Sequence, residues 1–195
     1  MVMGEKSLQK KNYIVEKAKE VFQEKGYLGV TMKDIIEACE ISRGGLYLYF
    51  DSVETIFNEV LRLESEEIDD VFGPAILEIS SSADILGLFL QEQKKELLKK
   101  KGNLSRAIYE YNFGNKVSPK ENASRKKFDM AVKVIEKLIE QGIEEGDLYC
   151  EDPRGAARNM MYVIEGLRIS SQTIGITEET VNREIRYLMR GIMAE

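Results

Sequence analysis

Residues 31–50 read TMKDIIEACEISRGGLYLYF, and the punctuation of this stretch decides the fold. Thr31 with Asp34 three residues later is a capping-box-like helix start. Met32, Ile35, Ile36 and Cys39 follow at i, i+3, i+4 and i+7, the apolar face of a short helix. Glu40-Ile41 breaks that periodicity, and Ser42 is a second N-cap residue. A further short helix is therefore expected from Arg43 to about Tyr49, with Leu46 and Phe50 reading as core. Two short helices joined by a tight turn, after a preceding helix, form a helix-turn-helix.

The flanks support that reading. Upstream, Ile14, Ala18, Val21 and Phe22 place a helix over about Ser7–Lys25, and Gly26 is its C-terminal stop. Downstream, Ser52 can cap a fourth helix through Ile56, Phe57, Val60 and Leu61 toward Asp70, and Gly73-Pro74 is expected to kink or end it. A fifth helix is predicted from near Ser82 to Lys99–Gly102. The sixth carries Leu104, Ala107, Ile108 and Tyr111 and stops near Gly114. Ser118-Pro119-Lys120-Glu121 combines a cap, a first-turn proline and a capping-box acid for a long seventh helix. That helix shows Phe128, Ala131, Val132, Ile135, Leu138, Ile139 and Gly142 at helical spacing. Asp152-Pro153 opens an eighth helix, ending near Gly175, and Thr177 a ninth, running to about Met193. The fold class expected is all-α, with about nine helices.

Composition agrees. The chain has 195 residues, 43% hydrophobic and 32% charged, with only three prolines, a balance that favours helices around a real core. No apolar run approaches the roughly 20 residues that span a membrane. The opening MVMGEKSLQKK has no apolar signal core, and Cys39 and Cys150 are too few for a disulfide framework, so a cytoplasmic protein is expected. Histidine is absent. That removes Ser-His-Asp and Cys-His nucleophilic sites, His-ligated zinc and Glu-x-x-His di-iron bundles. No metal site, cofactor or catalytic constellation is expected, which weighs against a helical enzyme or cofactor-binding bundle. A purely structural dimer module is a further alternative.

The net charge of −6 is unevenly spread. Residues 1–50 hold 8 Lys and Arg against 7 Asp and Glu; the rest hold 20 against 27. Positive charge thus gathers at the N-terminal end, where Lys6, Lys10 and Lys11 form a cluster that can be either a basic arm for phosphates or the minor groove, or a solubilising tail. The acidic run Glu64 to Asp70 reads as a solvated face.

The segment Ile14–Phe57, about a quarter of the chain, resembles the DNA-binding domain of the TetR/AcrR family. Ala18, Phe22, Gly26-Tyr27, Thr31, Ile35, Ile41-Ser42, Gly44, Leu46-Tyr47 and Phe50 carry the resemblance. It implies a helix-turn-helix DNA-binding domain over 1–51 and a helical ligand-binding and dimerisation domain over 52–195. The function implied is that of a ligand-responsive repressor: a homodimer on a palindromic operator in double-stranded DNA, released by a small-molecule effector of apolar or amphipathic character. The DNA-contacting residues it points to are Thr31, Lys33, Ser42, Arg43, Gly44, Gly45, Tyr47 and Tyr49. A cation at Arg43, in the first turn of the third helix, opposes the helix dipole by about 0.3–1 kcal/mol, which a guanine or phosphate contact would offset. Thr31 can cap its helix, meet a phosphate, or do both; Tyr47 can face DNA or pack on the first helix. Departures from the family pattern at Glu40, Gly45, Tyr49 and Val53 put individual contacts in doubt. Glu40, where glycine is usual, requires a left-handed or rearranged turn.

In the C-terminal part, an effector pocket is expected among the fifth to eighth helices, lined by Phe89, Gln93, Tyr109, Asn112, Phe113, Phe128, Met161, Tyr162 and Glu165. The dimer seam expected from the last two helices comprises Ala156, Met160, Val163, Ile164, Leu167, Val181, Ile185, Leu188 and Met189. The same stripes also suit an intramolecular core.

Overall fold

The computed structural model describes residues 4–75, 81–99, 102–115, 118 and 122–193, with the side chains of 65–75 excepted. The described residues form nine helices: α1 (Glu5–Lys25), α2 (Met32–Cys39), α3 (Arg43–Tyr47), α4 (Val53–Ala75), α5 (Ser82–Leu98), α6 (Ser105–Gly114), α7 (Ala123–Glu145), α8 (Pro153–Thr173) and α9 (Glu178–Arg190). No strand occurs among them, only one antiparallel bridge between Leu148 and Met193.

Most helix starts lie where the side chains can satisfy the first orphan N–H groups. Thr31, Ser42, Asp152 and Thr177 each accept from the backbone N–H three residues on. The seventh helix departs from expectation: its cap is Asn122, which accepts from the Arg125 N–H, and not Ser118, which is exposed coil. Pro119–Glu121 lie outside the described residues. Gly73-Pro74 falls inside the last turn of α4, which ends at Ala75. Of the acidic run, Glu64 pairs with Lys19, and the side chains after it lie outside the described residues.

Two compact units emerge from the packing, Met1–Ile68 with Lys101–Ser118, and Asp69–Lys100 with Pro119–Glu195. In the first, α1 to α3, most of α4 and α6 share one core. Ile14, Ala18 and Phe22 of α1 are buried with Ile35, Leu46, Ile56 and Phe57. Phe22 and Phe57 meet edge to face at 4.7 Å, and Tyr111 of α6 lies 5.2 Å from Phe57 and 4.9 Å from Tyr27. The Tyr111 hydroxyl donates to Glu54 at 3.1 Å. Gly26, at φ 75°, ends α1 in a conformation that favours glycine, and a Cβ there would lie 2.6 Å from the Glu110 carboxylate of α6, which would have to shift. That carboxylate accepts from the Leu28 N–H at 2.9 Å.

The second unit packs α5, α7, α8 and α9. Its core joins Leu86, Phe89 and Leu90 to Ile135, Ile139, Met160, Ile164 and Leu188, and a smaller cluster joins Leu97, Leu167 and Val181. The nine residues expected at a dimer seam all pack into these two clusters. Met160, Ile164, Leu167, Val181 and Leu188 are buried, and Ala156, Val163, Ile185 and Met189 pack partly buried against them. Within this chain five of the nine are core, and the other four keep part of their surface open. The apolar side chains that α8 and α9 leave exposed are Tyr162, Ile169 and Tyr187.

Candidate nucleic-acid interface

Helix α2 is fixed by a reciprocal cap. Asp34 N–H donates to the Thr31 hydroxyl, and the Thr31 N–H donates to Asp34 at 2.8 Å. The Thr31 hydroxyl donates to the same carboxylate, which also accepts from Lys25 Nζ at 2.5 Å. These donors, Lys25 first and Thr31 next, hold the Asp34 carboxyl well below the usual carboxylate range. The Thr31 hydroxyl is thus engaged within the protein, and what the helix start still offers outward is its backbone.

The turn that follows carries Glu40 at φ 52° and ψ 39°, the left-handed conformation its place in the turn requires. This costs an L-residue roughly 1–2 kcal/mol. The strain reorients the chain in one residue and sends Ser42 into position to cap α3 through the Gly45 N–H at 3.1 Å.

From α3 the side chains divide cleanly. Leu46 and Phe50 point inward and are buried. Arg43, Gly44, Tyr47 and Leu48 are exposed. The Arg43 guanidinium sits 5.4 Å from the centroid of the Tyr47 ring, a cation–π contact that orients a long side chain before any ligand arrives. Among the described residues no carboxylate pairs with Arg43. Gly44 has open space where a Cβ would be, so another backbone can approach the helix closely there. Lys33, on α2, is exposed with only an i,i+4 carboxylate at 3.6 Å, Glu37. Thr31, Met32, Lys33, Ile36, Arg43 and Tyr47 together line an open concavity of about 380 Å³.

Tyr49 stands apart from this group: it is partly buried, with its hydroxyl 3.5 Å from that of Ser7. The N-terminal lysines are not a flexible arm, because α1 begins at Glu5 and contains all three. Lys11 is 2.5 Å from Glu59 and 5.7 Å from the Phe50 ring centroid, while Lys6 and Lys10 are exposed on the first turns. Met32 and Ile36, read from periodicity as core, are only partly buried and line the concavity, whereas Ile35 and Cys39 are buried. Leu48, 82% exposed, is a further member of this surface that periodicity did not single out. Partial exposure of an apolar pair at i, i+4 has no signal in an eight-residue pattern.

The residues expected to line an effector pocket fall into both units. Tyr109 and Phe113 stack at 6.2 Å on α6, beside Asn112, in the first unit. In the second unit, Phe89 and Met161 are core, and Phe128 lies 5.1 Å from the exposed Tyr162 ring. Gln93 accepts from Arg168 at 2.9 Å, and Arg168 is also paired with Glu165. Among the described residues no group of His, Cys, Asp and Glu could hold a metal ion. No described helix is long and apolar enough to cross a membrane.

Comparison with known proteins bears on both units. The family of bacterial regulatory proteins called tetR matches residues 14–60, and the tetracyclin repressor-like C-terminal domain matches residues 85–182. The uncharacterized HTH-type transcriptional regulator YfiR of Bacillus subtilis is 29% identical over 145 residues, covering 72% of this chain and 68% of its own. The HTH-type transcriptional repressor DhaR of Mycobacterium sp. is 28% identical over 151 residues, 71% of this chain and 69% of its own. A solved structure from Agrobacterium tumefaciens, a transcriptional regulator of the TetR family, superposes with a TM-score of 0.80 at 17% identity, covering 96% of this chain and 99% of its own.

Proposed function

Because the chain belongs to the tetR family of bacterial regulatory proteins, and is therefore a DNA-binding transcription regulator and not an enzyme, we propose that it is a cytoplasmic repressor that leaves its operator when a small molecule binds. The observation that carries the proposal is the outward face of α3. Arg43 is exposed, unpaired with any described carboxylate and held over Tyr47, next to a glycine surface open to close approach. A planar guanidinium held in this way suits the O6/N7 edge of guanine in the major groove. Lys33 and the backbone at the start of α2 suit phosphates on either side. Ser42 caps α3 through the Gly45 N–H and Gly44 admits the backbone, so these three serve positioning. Tyr49 and the Thr31 hydroxyl are assigned to internal structure.

A single recognition helix reads few base pairs, and two copies related by a two-fold axis would read a palindrome. The family resemblance supports assigning the two-fold contact to α8 and α9. Since the inner stripes of these helices are core, the surface assigned to the partner is the exposed one that includes Tyr162, Ile169 and Tyr187. The effector is assigned to residues 52–195, with an apolar or amphipathic molecule the class that the aromatic and Met side chains suit. Helix α4 runs from the first compact unit into the second, and α6 packs with the first although it follows α5 in the chain. Ligand occupancy would act through these two connections on the spacing of the recognition helices, a population shift.

The test is a fluorescence-anisotropy titration of the full-length protein with duplex DNA from upstream of its own coding gene, repeated over 50–200 mM salt. Binding that weakens steeply and log-linearly with salt is expected. Absence of any sequence-preferring, salt-dependent binding would sink the proposal.

A further inference from the structure

The concavity between α2 and α3 combines two chemistries that a simple phosphate-binding surface does not need together. Its rim carries the charges, Lys33 and Arg43, both exposed. Its floor is apolar, made by the partly buried Met32 and Ile36 and the Tyr47 ring. Neither Met32 nor Ile36 has a side-chain donor for a phosphate or a base edge. Leaving them uncovered beside two cations keeps apolar surface in water, while their neighbours at i+3, Ile35 and Cys39, are fully enclosed by the core. Such a floor gains only from an apolar group delivered between two anionic backbones. In the major groove of B-DNA the one methyl group on a base edge is the 5-methyl of thymine; cytosine presents only a C5–H at the same place, and the hydrogen-bonding edge atoms are donors and acceptors.

We propose that the notch of Met32 and Ile36 receives a thymine 5-methyl group, so that α2, and not only α3, reads sequence. The methyl lies on the floor while Lys33 and Arg43 hold the flanking phosphate and base edge, which puts the read thymine next to the position that Arg43 contacts. The same pocket accepts 5-methylcytosine, which carries its methyl at the same place, and takes uracil and unmodified cytosine less tightly. This rests on the reading of the α2–α3 surface as the DNA interface.

The test uses the full-length protein and a random duplex library. Sites enriched through rounds of binding are resynthesised with deoxyuridine in place of each thymine in turn, and with 5-methylcytosine in place of each cytosine. Removing one buried methyl weakens binding about fourfold per half-site. One symmetry-related pair of thymines is expected to show this loss, and 5-methylcytosine with its paired guanine at that pair is expected to bind more tightly than unmodified cytosine. In the Met32→Ala/Ile36→Ala variant, the thymine-to-uracil difference is expected to fall below twofold while binding to the enriched site persists. A tightly bound, enriched duplex in which no thymine-to-uracil change exceeds twofold overturns the notch and leaves the regulator reading standing. A difference that survives undiminished in the double variant places the methyl elsewhere and also overturns it. Failure to enrich any duplex sinks both. The wild-type comparison requires no substitution, so a variant that folds poorly does not remove the test.

Discussion

Replacing Asp34 with alanine takes away three donors' common acceptor at the start of α2. The Thr31 N–H at 2.8 Å, the Thr31 hydroxyl and Lys25 Nζ at 2.5 Å all lose their partner. Loss of a capping box costs about 0.5–2 kcal/mol. The link to Lys25, whose side chain is 42% exposed against 21% for Asp34, adds at most about 1 kcal/mol after solvent screening. A total near 2 kcal/mol is expected in urea melts at pH 7. Asparagine retains an acceptor for the Thr31 N–H without the charge, and is expected to cost about half as much. The pH dependence follows from the depressed carboxyl. A carboxylate with a lowered folded-state pKa gives stability that is complete above its unfolded value, near 3.9, and lost as pH falls through the folded value. The gap between wild type and Asp34→Ala is therefore constant between about pH 5 and 8 and narrows below about pH 4. Because the same cap fixes the start of α2, beside Lys33 and Met32, DNA affinity is expected to fall alongside. A gap below about 0.3 kcal/mol at pH 7, or one equally large at pH 3, would refute the reasoning.

Three further outcomes are expected. Arg43→Ala lowers affinity for the preferred duplex by about 10- to 100-fold, the worth of one bidentate guanine contact, while leaving the melting temperature within about a degree; equal affinity of variant and wild type in the anisotropy titration counts against base reading. Glu40→Gly relieves the left-handed φ of 52° and raises stability by about 0.5–1 kcal/mol after the entropic cost of glycine, measured by denaturant melts; a loss instead would mean that the glutamate side chain is a net stabiliser of the turn. Ile169→Glu, on the exposed side of α8, shifts the sedimentation coefficient to that of a monomer with little change in monomer stability, whereas Leu188→Glu, 8% exposed in the core, unfolds the second unit by burying a charge; an undisturbed dimer in the first variant places the self-contact elsewhere.

The sequence by itself determined whatever is held by neighbours along the chain. Caps at Thr31, Ser42, Asp152 and Thr177 act over three residues, and each is found where its residue type stands. Glu40 was left a left-handed or a rearranged turn because a helix ends before it and another begins three residues later, and it takes the left-handed one. Leu46 inward and Arg43 outward follow from a five-residue helix with one apolar position buried. Tertiary structure decided what depends on a partner far along the chain. Lys11 is drawn to Glu59, 48 residues away, and stands in α1 instead of a flexible arm. Tyr49 meets Ser7 across 42 residues, and Glu110 closes on the Leu28 N–H across 82. The stripes of α8 and α9 could face a second copy or the chain's own α5 and α7, and periodicity is identical in both cases; only the packing showed five of the nine buried and four partly buried against the chain's own core. Likewise Met32 and Ile36 share one apolar face with Ile35 and Cys39, and α1 packs on α2 over only part of it. Local hydrogen bonds are encoded within a turn of helix, whereas the direction in which an apolar face is covered is set by chain segments that no local pattern names.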